Sequence, residues 1–534
     1  MTGPDKSGVV AEAPVGSSQF IVLVTASLVS SLIMLDSNIV AVSLPAIGRS
    51  IGASFTDIQW VISAYVLTYA ALLLATGNYA DLHGRRKAML IGLIVFAVGS
   101  AVCGVASSAL MLDLARAVQG IGGALLLTAS LAIISHDFVG DERAGALAFW
   151  GASLGIALAL GPIVGGSITN FFGWRWVFLV NLPACAILIA LTLKVVRESR
   201  DRDARQLDFA GIGTFSLGLG LLIWAMIDGN DAGWLSIGIQ MRIAAALLCF
   251  GAFVVAEWRQ ARPMVDLGLF RRRTFVGAVL AMIGYGASAQ VMVFFLPLFL
   301  QNVYGFEPMV AGFAMLPFAL PMVLAPRITS KLAMHFSGRA LLTTGLAITI
   351  AGNLLFWAVA RAQLHYDVFV IGMLIAGCGA GLLNGQTVKV LSGSVPQDRA
   401  GMASGLASTT RFIGILVSVA GMGAVLTNVM SHAFGAAAMA VGLDSAAAVA
   451  ATKRVATGDL SGMLSLVPPA ARNALHAAGL AAFSDGFAAA SLLAAVVAVV
   501  ACLLTFWFVG FEDTAPSGAI GHRPCKFIDC RDPL

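Results

Sequence analysis

The chain has 534 residues, of which 59% are hydrophobic and only 11% are charged, and its mean hydropathy is +0.91. This composition excludes a soluble protein, because a soluble fold could not cover such a chain with polar groups. The formal net charge of +5 is small for this length, and the bases cluster between apolar runs rather than in a basic domain. A nucleic-acid-binding face is therefore also excluded.

Apolar runs of about 20 residues recur along the whole chain, and each is long enough to cross a bilayer as a helix. They predict fourteen transmembrane helices, at about 20–45, 57–79, 87–107, 109–135, 144–168, 175–196, 209–228, 239–258, 274–300, 310–331, 339–360, 366–391, 401–428 and 485–510. An even number places both termini on the same side of the membrane. The first 19 residues are polar and lack the layout of a cleaved signal, so we expect the first helix to be retained.

Lys and Arg are distributed unequally between the two sets of loops. One set carries clusters at 85–87, 194–205, 259–273, 327–339 and 389–399. The short loops of the other set hold little beyond Arg49, Arg175 and Arg361. Because loops rich in Lys and Arg stay in the cytoplasm, we expect the first set and both termini to be cytoplasmic. The one long external loop is then 429–484, which is Ala-rich.

Short sequences recur at offsets of about 250 to 260 residues. Asp141-Glu-Arg-Ala-Gly is repeated as Asp398-Arg-Ala-Gly, and Ser43-Leu-Pro resembles Phe295-Leu-Pro. The pattern predicts an all-α membrane protein with two parallel six-helix bundles, a linker with two inserted helices, and two cytoplasmic tails. The units are 1–19 (tail), 20–196 (bundle), 197–273 (linker with 209–228 and 239–258), 274–510 (bundle) and 511–534 (tail). Parallel repeats of this kind are typical of transporters, which bind substrate between the repeats.

Four motifs make the prediction more specific. They are Leu35-Asp36-x-x-x-x-Ala41-x-x-Leu44-Pro45, Gly77-x-x-Ala80-Asp81-x-x-Gly84-Arg85-Arg86-Lys87, Leu114-Ala-Arg116-Ala-Val-Gln119-Gly120-Ile-Gly122, and Gly151-x-x-x-Gly155 with Gly161-Pro162-x-x-Gly165-Gly166. With these motifs the chain resembles the major facilitator superfamily, and within it the fourteen-helix drug:proton antiporter branch of multidrug efflux type. The second motif departs from the family pattern at Asn78-Tyr79 and at His83, where the family usually has Arg.

The resemblance implies that Asp81, Gly84 and Arg85 belong to a cytoplasmic gate. In the family the matching Asp pairs with bases and with a helix N-terminus of the other half, where the helix dipole stabilises a carboxylate. Here the expected partner is the thirteenth helix, which starts near Gly401. Arg85 would add a second contact, and Gly84 would permit a tight turn. The alternative is a basic loop whose charges are simply solvated.

Asp36 and Arg116 are charged residues inside apolar helices. A charge at this depth is costly, so Arg116 is expected to face a polar cavity and to have a partner. Counting about 1.5 Å per residue along the first and fourth helices puts both residues roughly 12 Å below the outer surface. We therefore predict that they are neighbours, that Asp36 binds the proton or a cationic substrate, and that Arg116 controls its proton affinity. The alternative is a static structural pair.

The fifth helix carries closely spaced small residues. They are Gly151, Gly155, Gly161, Gly165 and Gly166. Small residues let a neighbouring backbone approach closely, and Pro162 is expected to bend the helix. By the resemblance, this segment limits proton leak in exporters. We therefore predict a packing and hinge role for it, without substrate contact.

Other polar or aromatic residues inside the helices are candidates for the wall of a substrate cavity. They are Trp60, Tyr65, Gln119, Gln290, Asn384, Gln386 and Arg411. Gln290 falls near the repeat equivalent of Asp36, whereas Arg411 is expected to be paired or to act in gating. The alternative for Trp60 and Tyr65 is that they anchor their helix at the membrane–water interface. The tenth helix lacks the acid that some cation exporters of this branch carry, which argues against dicationic substrates.

The sequence contains no phosphate loop of the Gly-x-x-x-x-Gly-Lys-Ser/Thr type, no His/Cys metal spacing in the bundle and no recognisable Ser/His/Asp set. We therefore predict no enzymatic activity, no metal and no cofactor, with transport driven by the proton gradient. Cys525 and Cys530 in the C-terminal tail are interpreted as reduced thiols, with metal or lipid attachment as the alternative.

The leading hypothesis is a proton-coupled antiporter that exports amphipathic drugs or toxic compounds across the bacterial inner membrane by alternating access. Its partners would be these small molecules, protons and the bilayer, and it would be a monomer. A second hypothesis keeps the fold but exports an endogenous metabolite or antibiotic. A third is a membrane sensor or scaffold that does not transport. Asp36 and Arg116 argue against the third, because a scaffold gains nothing from intramembrane charges.

Overall fold

The computed structural model of the chain describes residues 17–200, 208–260, 265–395, 400–456, 460–465, 467 and 469–510. Thirteen helices in these ranges are long and apolar enough to cross a membrane. The helix at Phe55–His83, bent by 54° between Leu73 and Ala75, makes a fourteenth if its two parts count as one span. The prediction of an all-α, multi-pass membrane protein is therefore confirmed.

The first half of the bundle contains seven helical segments that form six spans. They are α1 (Ser17–Ile51), α2 (Phe55–His83), α3 (Arg85–Gly104), α4 (Ala109–Asp137), α5 (Gly140–Phe172), α6 (Arg175–Leu179) and α7 (Asn181–Val195). Polar caps define where some of these helices begin. At the start of α2, Ser54 and Asp57 cap each other reciprocally, and Ser108 accepts a hydrogen bond from the backbone of Met111 at the start of α4.

Two inserted helices follow, α8 (Phe209–Ala232) and α9 (Ile237–Arg259). They pack against each other, and α8 also packs against α2 and against the helix at Ala400–Ala440 in the second half. Hydrogen bonds define both contacts. The Thr56 hydroxyl donates to Asp231 at 2.9 Å, and the Asn230 amide donates to Oγ1 of Thr427 at 3.0 Å. The insert therefore lies across the boundary between the halves.

In the described residues, the second half contains ten further helical segments. They are α10 (Arg273–Tyr285), α11 (Met292–Asn302), α12 (Pro308–Ala314), α13 (Leu316–Leu332), α14 (Gly338–Arg361), α15 (Tyr366–Gly393), α16 (Ala400–Ala440), α17 (Ser445–Ala456), α18 (Leu460–Ser465) and α19 (Arg472–Phe508). Short 3-10 turns at Leu267–Arg271 and Pro469–Ala471 precede α10 and α19.

Two spans that the sequence predicts as continuous are interrupted. In the ninth span, a π-turn at Gly286–Gln290 separates α10 from α11. Gly286 lies directly against the backbone carbonyl of Arg411 in α16, where a Cβ atom would collide. In the tenth span, α12 and α13 meet at Met315. Pro317, two residues later in the first turn of α13, has no N–H to donate to the preceding helix.

The predicted external loop 429–484 is largely helical in the residues that the structure describes. α16 continues to Ala440, and α17 and α18 lead to α19, which begins at Arg472 rather than near 485. The prediction of a loop is therefore wrong. The Ala-rich composition explains the difference, because Ala has the highest helix propensity of all residues. Phe434 and Leu475, both 0% exposed, show that the two extensions are packed.

The two ends of the bundle are called the Gly84 end, after the turn between α2 and α3, and the Gly52 end, after the loop between α1 and α2. Two hydrogen bonds join the halves near the Gly52 end. The Gln59 amide in α2 donates to the Val419 carbonyl in α16 at 3.0 Å. The Gln301 amide in α11 donates to the Val42 carbonyl in α1 at 2.8 Å. The halves are therefore in direct polar contact at this end.

Candidate functional site

Asp36 and Arg116 form an ion pair inside the first half. Nη1 of Arg116 donates to Oδ2 of Asp36 at 2.7 Å, and the side chains of Arg116 and Asp36 are 2% and 0% exposed. The predicted proximity of these residues is confirmed. The expectation that Arg116 faces a polar cavity is wrong for this structure, because neighbouring side chains enclose the pair.

Two amides and a hydroxyl complete a network around the ion pair. The Gln119 amide donates to Oδ1 of Asp36 at 3.0 Å and to Oγ of Ser100 at 2.8 Å, and its oxygen accepts from Nη1 of Arg116 at 2.7 Å. The Asn181 amide donates to Oδ1 of Asp36 at 2.7 Å. Gln119, Ser100 and Asn181 are each at most 1% exposed. The network therefore combines side chains from α1, α3, α4 and α7.

α2 provides the remaining contacts of Arg116. The Nε atom donates to the backbone carbonyl of Val61 at 3.1 Å, and the guanidinium lies 4.1 Å from the centroid of the Tyr65 ring. A buried ion pair is stable only when additional hydrogen bonds satisfy its remaining atoms, and these contacts meet that requirement. The ring also adds a cation–π interaction.

Glycines allow the helices that carry the network to approach each other. A Cβ atom on Gly99 of α3 would lie 2.9 Å from the backbone nitrogen of Gln119 in α4. A Cβ atom on Gly120 would collide with the carbonyl of Tyr65 in α2. The close packing of α4 against α2 and α3 therefore depends on these two positions, and it places Arg116 and Gln119 beside Asp36.

Sequence reasoning missed Asn181 and Ser100. Gln119 was predicted as a cavity wall, whereas it is a direct partner of both charged residues. Asn181 lies within an otherwise apolar run, and a polar side chain at that depth is a signal that could have found it. Ser100 gives no such signal, because a serine hydroxyl in a helix can donate a hydrogen bond to a backbone carbonyl of the same helix.

The chemistry available to this network is the gain or loss of one proton at Asp36. Three donors surround the carboxylate, from Arg116, Gln119 and Asn181, and they complement its ionised form. Protonation of Asp36 would remove the negative charge that attracts Arg116. One of the three N–H donors would then face the O–H group of the carboxylic acid instead of an acceptor. Because Asp36 is fully buried, a proton can reach it only when the surrounding helices move apart.

The predicted gate residues lie together at the Gly84 end. Nη2 of Arg85 is 2.9 Å from Oδ1 of Asp81, four residues earlier, and Gly84 between them has φ +111°. A positive φ favours glycine, so the tight turn there is explained. Asp398 and Arg399 lie outside the described residues, and the expected pairing of Asp81 with the start of α16 stays a prediction.

Glu198, which sequence reasoning did not single out, caps the start of α3. Its carboxylate accepts hydrogen bonds from the backbone N–H groups of Arg86 and Lys87, both at 3.1 Å. The Arg85 N–H donates to the carbonyl of Ser199 at 2.9 Å. An anion at a helix N-terminus is stabilised by the free N–H groups and by the helix dipole. The segment after α7 is therefore fixed to the motif that contains the predicted gate.

The glycines of α5 pack as predicted at three positions. Gly161 and Gly165 lie against Asn38 and Ile39 of α1, and Gly166 lies against the backbone of Pro308 in α12. Pro162 is also in this interface, because its carbonyl would collide with a Cβ on Gly312 of α12. α5 therefore contacts both halves through backbone atoms, while its role as a hinge stays a prediction.

Two other glycines of α5 are less confined. A Cβ atom on Gly155 would lie 3.6 Å from the side chain of Val323 in α13, an ordinary van der Waals distance. A Cβ atom on Gly151 would meet no heavy atom within 4 Å among the described residues, apart from its own chain neighbours and helix backbone. The prediction of a close backbone approach is therefore wrong for Gly151.

The remaining candidates are distributed over both halves. Trp60 is partly buried against the core, whereas Gln290 in the π-turn and Gln386 in α15 are buried at 8% and 3% exposure. Asn384 is partly buried. Arg411 in α16 is also partly buried and, in the part of the chain that the structure describes, forms no salt bridge. Arg411 is therefore not paired with an acid in these residues, and its alternative role in gating stays a prediction.

The chain is similar to known proteins over most of its length. The family model of the Major Facilitator Superfamily matches residues 26–419. The chain is 34% identical over 410 residues to the multidrug resistance protein Stp of Mycobacterium tuberculosis, covering 77% of this chain and 76% of that protein. It is 31% identical over 482 residues to the multidrug efflux pump LfrA of Mycolicibacterium smegmatis, covering 88% of this chain and 92% of that pump.

A solved structure supports the same fold. A bacterial homologue of the human lysosomal transporter Spinster, in an inward-facing and unoccupied conformation, aligns with a TM-score of 0.61 at 15% identity, covering 94% of this chain and 99% of that one. The region matched by the family model includes every residue of the Asp36–Arg116 network. The resemblance deduced from the motifs is confirmed, and the chain belongs to the Major Facilitator Superfamily.

Proposed function

We propose that this protein is a proton-coupled efflux transporter that exports amphipathic small molecules across the bacterial inner membrane. The names of Stp and LfrA, a multidrug resistance protein and a multidrug efflux pump, support export as the direction of transport. One observation carries the coupling mechanism: α1 and α2 contribute both to the buried Asp36–Arg116 network and to the hydrogen bonds that join the halves near the Gly52 end.

The connection is short along both helices. In α2, Val61 accepts a hydrogen bond from Arg116, and Gln59, two residues earlier, donates to Val419 of the other half. In α1, Asp36 lies six residues before Val42, which accepts a hydrogen bond from Gln301 of the other half. A change in the charge of Asp36 that shifts α1 or α2 would therefore act on the contacts that join the halves at the Gly52 end.

The basic loops assign the sides of the membrane. Loops rich in Lys and Arg face the cytoplasm, so the Gly84 end and both termini are proposed to be cytoplasmic and the Gly52 end external. The contacts at Gln59 and Gln301 then close the external side, which is the state in which an exporter accepts substrate from inside. The protein acts as a monomer, needs no cofactor and is driven by the proton gradient alone.

The proposed cycle alternates between two states of Asp36. With Asp36 ionised and paired, the external contacts hold the halves closed outside, and substrate enters from the cytoplasm. Rocking of the halves opens the outside, releases substrate and lets water reach Asp36. A proton from outside then neutralises the carboxylate, and its release to the cytoplasm restores the ion pair. Proton entry is thereby coupled to substrate export, because the two occur in different steps of one alternating-access cycle.

The test uses inside-out vesicles energised with a pH gradient and a panel of amphipathic drugs. A substrate that is exchanged for protons dissipates the gradient in vesicles with the wild-type chain. We expect Asp36→Asn to abolish this dissipation while binding of the same drug persists. Unchanged gradient-driven transport in Asp36→Asn would overturn the proposal.

Two further variants control for damage to the fold. Asp36→Asn leaves a buried arginine without its counter-charge, which costs about 3–5 kcal/mol, so it is also tested together with Arg116→Gln, which removes both charges. The double variant should regain thermal stability but not coupling. As a matched control, Asp228→Asn removes the acid of the ion pair with Arg242 in the inserted helices and should leave coupling intact.

A further inference from the structure

Arg411 lies near the middle of the bundle and has no counter-charge among the residues that the structure describes. It lies eleven residues after the start of α16, or about 16 Å along the helix. Among the described residues no acid lies within salt-bridge distance of it, and its Nε atom is buried without a hydrogen-bond partner. Its ring contact is with the neighbouring Phe412, at 4.9 Å. Its partly exposed side chain is therefore available to a ligand.

Two tyrosine hydroxyls near Arg411 also lack partners. Tyr69 and Tyr285 are 1% and 0% exposed, and the hydroxyl oxygen of each is buried without a hydrogen bond in the described residues. The Tyr69 ring packs 4.6 Å from the Phe412 ring, and Tyr285 precedes Gly286, which lies against the Arg411 backbone.

Unsatisfied buried polar groups are rare in folded proteins, and each one requires a reason. Here three side chains with such groups, Tyr69, Tyr285 and Arg411, lie in the same region, because Tyr69 packs on Phe412 and Gly286, next to Tyr285, lies against the Arg411 backbone. Tyr69 belongs to the first half and the other two to the second, so the group lies between the halves. Transporters of parallel-repeat architecture bind substrate at this interface near the membrane midplane.

We propose that Arg411, with the hydroxyls of Tyr69 and Tyr285, binds the anionic group of an amphipathic substrate, such as a carboxylate, sulfonate or phenolate. The proposal rests on the proposed export function and adds the charge of the substrate to it. A guanidinium with two hydroxyl donors satisfies the several lone pairs of an anionic oxygen group. The aromatic rings of Tyr69 and Phe412 would contact the apolar part of the same molecule.

The other charges of the bundle favour an anion over a cation. Asp36 could attract a cationic substrate only if it were accessible, but it is 0% exposed and already neutralised by Arg116. Asp36 and Arg116 together contribute no net charge. Among the described residues, the uncompensated charge between the halves at this depth is therefore that of Arg411. A cationic ligand would have to lie beside an uncompensated arginine, which is unfavourable in a medium of low dielectric constant.

The experiment compares two fluorescent ligands of equal length and opposite charge, pyrenebutyrate and pyrenebutylamine. Each is titrated against the full chain in lipid nanodiscs, with protein-free nanodiscs as the blank, and binding is read as energy transfer from tryptophan to pyrene. We expect pyrenebutyrate to bind at least tenfold more tightly than the amine. Equal affinities, tighter binding of the amine, or no saturable binding of pyrenebutyrate would overturn the proposal.

Variants then locate the anion site. Arg411→Gln should abolish the preference for pyrenebutyrate, Arg411→Lys should keep part of it, and Tyr69→Phe should weaken pyrenebutyrate binding severalfold without affecting the amine. A preference that persists in Arg411→Gln would overturn the assignment of the anion site to this arginine. Because Arg411→Lys retains the charge, its behaviour separates loss of the site from loss of the fold.

These experiments distinguish failure of the anion-site proposal from failure of the export proposal. Asp36→Asn should lose gradient-driven transport but keep the wild-type ratio of pyrenebutyrate to pyrenebutylamine affinity. If the ratio is near one while drugs still dissipate the pH gradient, the anion site is wrong and proton-coupled export stands. If pyrenebutyrate is preferred but no drug is exchanged for protons, the anion site stands and proton-coupled export is wrong.

Discussion

The side-chain amide of Asn181 donates a 2.7 Å hydrogen bond to Oδ1 of Asp36, although the two residues are 145 positions apart in the chain. The same amide lies 3.3 Å from Oγ of Ser100, so it connects α7 to both α1 and α3. An interaction of this kind fixes the orientation of the carboxylate that receives the Arg116 guanidinium. Asn181 is therefore a positioning residue for the ion pair.

Replacing Asn181 with Leu should destabilise the protein and impair coupling. The change leaves Asp36 with fewer donors and introduces an apolar branch among buried polar atoms, which should cost about 1–3 kcal/mol. Thermal unfolding in detergent should show a lower midpoint, and gradient-driven transport should fall more than drug binding. Asn384→Leu in α15 serves as the control, because among the described residues it removes no side-chain hydrogen bond. Equal unfolding midpoints for the two variants would contradict the role of Asn181.

The contact between Gln59 and Val419 predicts a shift between the two states of the transporter. Gln59→Leu removes a buried hydrogen bond between the halves worth about 0.5–1.5 kcal/mol, so the state that is open at the Gly52 end should become up to about tenfold more populated. Spin labels at Ser50→Cys and Glu307→Cys, on opposite halves at this end, would report the longer distance.

The matched control for that measurement is Gln19→Leu. Gln19 donates to the carbonyl of Asp137 at the Gly84 end, within the first half, so its loss should leave the distance distribution at the Gly52 end unchanged. An identical distribution for Gln59→Leu and the wild-type chain would show that this hydrogen bond does not hold the external side closed.

The cap formed by Glu198 predicts local rather than global instability. Glu198→Ala leaves two N–H groups at the start of α3 without their acceptor, which should cost about 1 kcal/mol at this exposed position. Trypsin should then cut at Arg85, Arg86 or Lys87 about fivefold faster, because cleavage follows the population of the locally open form. Glu142→Ala, also exposed at the Gly84 end, should leave the rate unchanged. Equal rates in both variants would exclude the capping role.

The sequence was sufficient to place Asp36 beside Arg116, because the rise per residue of a helix is fixed and gives the depth of each charge. It did not reveal that the pair is enclosed. Depth along a helix does not determine which neighbours surround a side chain, and the enclosure depends on Asn181 and Tyr65, which come from two other helices. The motifs that contain Asp36 and Arg116 therefore do not show whether tertiary contacts bury the pair.

The errors in the fold have similar causes. The apolar runs that predict helices end at 428 and resume at 485, yet an apolar run indicates membrane insertion and not helix formation. The π-turn at Gly286–Gln290 follows from the close approach of Gly286 to Arg411, a contact between residues more than a hundred positions apart. The absence of an acid beside Arg411 among the described residues likewise depends on tertiary contacts that its own sequence does not show.

The backbone contact between α5 and α12 predicts opposite effects for two glycine substitutions in the same helix. A Cβ atom on Gly166 would collide with the carbonyl of Pro308, so Gly166→Ala should push the halves apart, lower the unfolding midpoint and reduce transport at least tenfold. Gly151 has open space around it, so Gly151→Ala should stabilise α5 by about 0.5–1 kcal/mol and leave transport intact. Drug-driven dissipation of the pH gradient and thermal unfolding measure both effects. Full transport in Gly166→Ala would show that this contact is not needed for the halves to rock.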